Sequence, residues 1–319
     1  MNSRRSLVAA LAISIVACGN QAPAKHAAAA PPTPTPTPTW PAPAMLQVEN
    51  SPDSHPHSGL QNADLVFEYL TEGGITRFTV VFFDPKGSQK VGPDRSARLV
   101  ALRLVQSYHG VLFYSGASDY VLGKIWDNKV PNLTEGSDGG KYFQRDGSRV
   151  APHNLFTTPD QMAQGVQKVG ARITYTRPTP GEPAAAGTPV TRFAFDQTFA
   201  QHVAYTYDAG GKTYAYAGET DAANGNQPVR ITNVVLVRVA HHGAGYTEDV
   251  RGEEGIDFDL QGQGKSEVYT RGQKFDATWD LSQPDQPLRI LGADGKDFPL
   301  PQGLTWIHLV DPDLPVSAG

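Results

Sequence analysis

A mixed α+β fold is predicted for this chain of 319 residues, with an α/β first half and a β-rich second half. Three observations carry the prediction. In the first half, apolar runs of strand length flank one segment of helical period. In the second, short strands alternate with glycine turns. The 32 glycines and 26 prolines supply the turns that both halves need. At 39% hydrophobic residues there is a core to bury, and the length suits two domains.

The charge and the cysteine content exclude other classes. A net charge of −5 does not suit a general nucleic-acid binder, whose phosphate contacts need a basic face. One cysteine cannot form an internal disulfide, a CxxC redox pair or a thiolate zinc cluster.

Residues 1–17 read as an export signal, with Arg4 and Arg5 ahead of a short apolar run. That run is too short to span a bilayer, which takes about 20 apolar residues. It ends Val16-Ala17-Cys18-Gly19, which looks like a bacterial lipobox with Cys18 as the lipidated residue. Residues 18–44 then form a tether containing Pro32-Thr33-Pro34-Thr35-Pro36-Thr37-Pro38. Such a run favours extended polyproline II and serves as a spacer.

The α/β domain is placed at 45–178. Strands are expected at 45–49, 63–70, 75–83 and 111–114, with a hairpin turn at Thr71-Glu72-Gly73-Gly74. A helix is expected to begin at Pro93 or Asp94 and to present Ala97, Ala101, Leu104, Val105 and Tyr108 on one face. Strand, helix and strand would form a βαβ unit if the two strands are parallel. The helix start and the end of the next strand would then meet at the edge where open α/β sheets bind ligands.

Polar residues gather at that edge. Arg95, Ser96 and Arg98 on the first helical turn, together with Arg77, Ser115 and Asn154, could hold a carboxylate or phosphate. Asp94 and Asp119 also suit helix caps, and the arginines also suit pairing with Asp84 or Glu72. His153, in a loop between Pro152 and Asn154, is an acid–base candidate, as are Glu68, Glu72 and Asp119.

The β-rich domain is placed at 190–319, after a proline-rich boundary. Strands are expected at 191–195, 203–207, 212–216, 230–239, 256–260, 266–270, 274–279, 288–291 and 305–310. Tyr205, Tyr207, Tyr214 and Tyr216 alternate along a hairpin and suit cross-strand packing better than a sugar-stacking face. His241 and His242 are adjacent in a strand, so they point to opposite faces and do not make a metal site. Trp279 and Trp306 read as core, and Gly262-Gln263-Gly264-Lys265 reads as a turn rather than a P-loop. No GxSxG, HExxH or dinucleotide motif occurs.

Several stretches resemble the DUF3048 family of YerB-like bacterial lipoproteins. They include Val48-Glu49-Asn50-Ser51-Pro52, His57-Ser58-Gly59-Leu60, Phe67-Glu68, Gly73-Gly74-Ile75-Thr76-Arg77-Phe78, Gly92-Pro93-Asp94-Arg95-Ser96-Ala97-Arg98, Pro152-His153-Asn154 and Gly303-Leu304-Thr305-Trp306-Ile307. The resemblance covers about residues 45–310. It implies a two-domain envelope lipoprotein and supplies no activity, substrate or catalytic residue.

The expectation is an extracytoplasmic lipoprotein anchored to a bacterial membrane at Cys18. Its crevice, lined by Arg77, Arg95, Ser96, Arg98, Ser115 and Asn154, would bind an anionic envelope ligand such as a peptidoglycan or glycan fragment. One alternative is an envelope hydrolase or transferase using the same crevice, with His153, Glu72 or Asp119 in acid–base roles. Another is a scaffold for envelope proteins acting through the β domain. No cofactor, metal or nucleic-acid partner is expected.

Overall fold

The computed structural model describes residues 39–136, 138–283 and 286–319. The export signal, Cys18 and the Pro/Thr run lie outside the described residues. The expected tether reaches residue 44, but the chain is already packed before that. Trp40–Pro41 pairs with Arg172–Ile173, and Ala42 is buried with its N–H donated to the Ala171 carbonyl.

One mixed sheet of eleven strands among the described residues organises the molecule. From the first half come β1 (Ala44–Asn50), β2 (Leu65–Leu70), β3 (Thr76–Phe82), β4 (Val111–Tyr114) and β5 (Asn132–Thr134). The helices are α1 (Leu99–Ser107), α2 (Asp119–Asp127) and α3 (Pro159–Val169). A second, five-stranded sheet contains β6 (Arg192–Thr198), β7 (Gln201–Asp208), β8 (Thr213–Asp221) and β9 (Gln227–Ile231). Next are β10 (Asn233–Arg238) and the hairpin β11 (His241–Thr247) with β12 (Glu254–Phe258). The last are β13 (Gly262–Thr270), β14 (Gln273–Leu281) and β15 (Thr305–Val310).

The large sheet runs β14-β13-β10-β15-β2-β3-β1-β4-β5 through its centre. β15 lies parallel to both β2 and β10, so strands from the two halves share one hydrogen-bonded ladder. Alternation along each strand gives the sheet two apolar faces. Met45, Tyr69, Val81 and Ile307 pack under α1, α2 and Phe258 of β12. Leu46, Val66, Phe78 and Trp306 pack under α3 and the five-stranded sheet. A fully buried Val, Leu or Phe on these faces contributes about 1.5–3 kcal/mol. α3 lies close on the sheet because of Gly165, where an added Cβ would meet Leu133 at 2.6 Å and the Phe113 ring at 2.8 Å.

Several expectations need correction. The βαβ unit is not built from β3, α1 and β4, because β1 lies between those strands, antiparallel to β3 and parallel to β4. It is built one step later, from β4, α2 and β5, whose strands are parallel neighbours. The helix does not begin at Pro93 or Asp94 but at Leu99, with Arg98 as N-cap. The cause is tertiary: the Asp94 N–H is donated to the Leu155 carbonyl, and the Arg95 N–H to the Gln47 carbonyl. Nor is Asp119 a cap; Ser118 caps α2 and accepts from the Val121 N–H. The strand expected at 230–239 is two strands, β9 and β10. The Gly262–Lys265 stretch opens β13 rather than forming a turn. Among the described residues, no helix is long and apolar enough to cross a membrane.

Candidate functional site

The two loops expected to frame a crevice are stitched together. The Ser115 N–H is donated to the Arg95 carbonyl at 3.1 Å, and the Ala97 N–H to the Gly116 carbonyl at 2.8 Å. This brings Arg95, Ser96 and Ser115 side by side at the end of β4, next to Arg77 and Arg98. Asp119, on the first turn of α2, is exposed and takes no part.

Two of the three arginines are neutralised inside the protein. Arg98 forms a two-pronged pair with Glu72, Nε to Oε2 at 2.8 Å and Nη2 to Oε1, and its Nη1 lies 3.2 Å from Glu248. Burial opposes its charge, but these carboxylates outweigh burial and raise its pKa. Arg77 donates to the Ser96 carbonyl at 2.8 Å and lies 4.0 Å from Glu72. Burial, then the Arg98 charge, pulls its pKa down to about 10, still cationic at neutral pH. For Glu72, burial would raise the pKa, but the Arg98 hydrogen bonds and charge hold it low. Glu72 is therefore an ion-pair partner rather than an acid–base group with a free proton.

Arg95 differs. Its side chain is 29% exposed, and its Nε lies 3.2 Å from Glu49 Oε1. The other Glu49 oxygen lies 2.8 Å from Nδ1 of His153, which is 20% exposed. Ser51 also donates to Glu49, at 3.0 Å. Burial would raise the Glu49 pKa, but Arg95, the His153 hydrogen bond and Arg77 hold it down. One buried carboxylate thus carries two basic side chains, both partly exposed at the surface. Asn154 is buried behind them and accepts from Arg145 at 2.6 Å.

A second polar network lies on the opposite face of the same sheet. Glu49 and Asn50 are neighbours in β1, as are Tyr69 and Glu68 in β2, so each pair splits between the faces. Fully buried Glu68 accepts from Trp306 Nε1 at 2.8 Å, Thr76 Oγ1 at 2.9 Å and Gln201 Nε2 at 2.6 Å. Burial outweighs these donors and pushes its pKa up to about 7. His308, beside it in β15, is driven down to about 3 by burial and is neutral. Its Nδ1 lies 2.5 Å from Gln197 Oε1, an acceptor, so Nδ1 carries the hydrogen and Nε2 accepts from Tyr205 OH at 2.8 Å.

His57 completes the network. Its Nδ1 lies 2.8 Å from Glu219 Oε1 and its Nε2 lies 2.7 Å from the Glu49 carbonyl oxygen. Both partners are acceptors, so both ring nitrogens donate and the ring is an imidazolium. Burial opposes that charge, but Glu219 outweighs burial and raises the pKa.

The local sequence explains how Glu219 gets there. In β8, Tyr214 and Tyr216 point inward, and simple alternation would send Glu219 to solvent. A bulge intervenes: the pairing with β9 shifts between Ala215 and Thr220, and Gly218 sits at φ +85°. The shift re-aims Glu219 and Asp221 inward. Asp221 then accepts from the Gly59 and Gln61 N–H groups, which fixes the His57 loop against β8. The tyrosines pair as expected across the hairpin, Tyr205 with Tyr216 and Tyr207 with Tyr214.

His55, His57 and Glu219 bring their ligand atoms within 4.8 Å of one another. The donor chemistry does not suit a metal ion. Both His57 nitrogens are occupied as hydrogen-bond donors, which leaves two ligands where a zinc site takes three or four. His241 and His242 diverge, the first to Asp311 at 2.7 Å and the second to Asp259 at 3.5 Å.

Fold and polar centre together define an α+β protein in which two halves complete one sheet and enclose polar networks on both of its faces. The chain belongs to the DUF3048 family, proteins of unknown function: residues 32–172 match the model of its N-terminal domain and 193–307 that of its C-terminal domain. It is 28% identical over 299 residues to the "Putative lipoprotein YerB" of Bacillus subtilis (strain 168), covering 86% of this chain and 83% of that one. The crystal structure of the YerB protein from Bacillus subtilis is similar in fold, with TM-score 0.71 and 27% identity over 86% of this chain and 93% of that one.

Proposed function

We propose that this chain is an extracytoplasmic lipoprotein, held to a bacterial membrane through Cys18, that binds an anionic envelope ligand at the Arg95–Glu49–His153 mouth. The class of ligand that fits the location is a peptidoglycan or glycan fragment bearing a carboxylate. One observation carries the site. Arg77 and Arg98 are buried against carboxylates, whereas Arg95 keeps 29% of its side chain exposed with His153 on the same anchoring carboxylate. Arginine in such a position can take a carboxylate in a forked geometry.

The test is thermal unfolding of the full chain with N-acetylmuramic acid, alongside acetate and phosphate. A ligand that binds only the folded state raises the midpoint. The expected result is a rise in the wild type that is lost in Arg95→Ala. An equal rise in both, or none in a cooperatively melting wild type, overturns the assignment. A hydrolase or transferase acting at this mouth is favoured by one contact, the 2.8 Å approach of Glu49 to His153. It requires His153→Ala to abolish turnover without moving the melting midpoint.

A further inference from the structure

Where the turn between β2 and β3 approaches β7 and β8, the protein leaves a cleft of about 240 Å³. Asn50, His55, Gln201, His202, Tyr216 and Glu219 form its polar lining, His202 being engaged by Asp196 at 2.7 Å. It lies on the Asn50 face of the large sheet, away from Arg95. Its volume falls below the 300–1,000 Å³ usual for larger ligands, so it suits a small molecule or a chain end.

Hydrogen bonds inside the protein fix which polar atoms face it. Asn50 Nδ2 donates to Thr76 Oγ1 at 2.7 Å, which turns Asn50 Oδ1 toward His55. His55 Nε2 lies 3.0 Å from that oxygen and so carries the ring hydrogen. Burial, then the charge on His57, lowers the His55 pKa, with Arg149 adding to the effect and Glu219 opposing it. His55 Nδ1 is then a bare lone pair. It lies 3.9 Å from Glu219 Oε2. Glu219 is 3% exposed; His57 holds its Oε1, while no donor among the described residues hydrogen-bonds Oε2. Two acceptors thus face each other across the open cleft, neither hydrogen-bonded by a donor among the described residues.

We propose that the cleft is a binding site for the primary ammonium group of a small ligand, held between His55 Nδ1 and Glu219 Oε2. An ammonium has three N–H donors and a positive charge, so it satisfies both acceptors at once and is drawn to the carboxylate. The ligand class is an amino acid derivative, an amino sugar or the amino end of a short peptide.

The test is ligand-observed NMR on the full chain at neutral pH with glucosamine and glycinamide, each against its N-acetylated form. Acetylation removes the charge and two of the donors while keeping the rest of the molecule. The expected result is saturable binding of the free amines and at least tenfold weaker binding of the acetylated forms. Binding by both amines points to a general ammonium site, and by one alone to a sugar or a peptide end as the source. His55→Ala should weaken amine binding severalfold while leaving the His57–Glu219 pair, and so the melting midpoint, in place. Glu219→Gln should abolish it. Equal binding of N-acetylglucosamine and glucosamine overturns the proposal, as does full affinity in folded His55→Ala. Zinc that competes with glucosamine and depends on His55 would overturn it in favour of a metal site.

Discussion

The two faces of the large sheet handle buried polarity in different ways. On the α1 face, Arg77, Arg98, Glu72 and Glu248 are joined by direct charge pairing. On the other face, Glu68 and His308 are held by hydrogen bonds from Trp306, Gln201 and Tyr205, and His57 donates to Glu219 in a buried pair. The first network is built on two arginines that stay cationic near neutral pH; Arg98 holds the Glu72 pKa down, while burial raises that of Glu248. The second is made of groups whose pKa values burial or a neighbouring carboxylate has shifted: Glu68 and His57 up, His308 down. Fixed charges give a rigid anchor, and shifted ones couple the fold to pH and to any cation that arrives. Rigidity on one face and titratability on the other should therefore be separable by mutation.

The largest expected effect breaks the fixed face. Arg98→Ala would leave Glu72 and Glu248 buried without their cation. Removing one partner of a buried ion pair costs about 3–5 kcal/mol. Urea unfolding monitored by circular dichroism should show that loss. A cost below about 1 kcal/mol would mean the network behaves like an exposed surface pair and the contrast between faces is false.

A somewhat smaller effect should appear on the titratable face as pH changes. Glu68 has a folded pKa of about 7 against an ordinary 4.5, so the folded state holds a proton that the unfolded chain has released. Its contribution to stability is fully present below 4.5 and is lost as pH rises through 7. His57, also raised, acts in the same direction, and His308, lowered to about 3, opposes both below its ordinary 6.5. Wild-type stability therefore mixes the three, and the difference from Glu68→Gln isolates one. That variant should gain on the wild type by about 1.4 kcal/mol per pH unit between 4.5 and 7. A difference independent of pH would place Glu68 at an ordinary pKa.

How much of this was legible in the sequence follows the same division. The strands of the large sheet are apolar runs, and those at 111–114 and 305–310 match the structure at both ends. Pairing of the arginines with Asp84 or Glu72 was open in the sequence; the structure pairs Arg98 with Glu72. Glu68 and Trp306 were visible as residues, but their contact joins strands more than 200 positions apart, and no local period encodes it. Glu219 was hidden by the β8 bulge, which reverses the inward parity that alternation would assign. β11 was missed because Gly243 and Gly245 interrupt the pattern of a strand. The start of α1 was misplaced because propensity at Pro93-Asp94 lost to pairing with β1 and Leu155. Local signals found the elements, and long-range pairing and one inserted residue built the second network.

The smallest expected effect sharpens the contrast most. Trp306 donates its indole N–H to Glu68 Oε2 at 2.8 Å, inside a fully buried site. A hydrogen bond to a charged acceptor contributes about 1.5–3 kcal/mol and one to a neutral acceptor about 0.5–1.5. Glu68 is mostly ionised at pH 8 and mostly protonated at pH 5, given a pKa of about 7. Trp306→Phe should therefore cost about 1 kcal/mol more at pH 8 than at pH 5. The loss of ring volume is the same at both pH values, so the difference isolates the hydrogen bond to the carboxylate. A cost for Trp306→Phe that is flat with pH would mean the indole answers to packing alone.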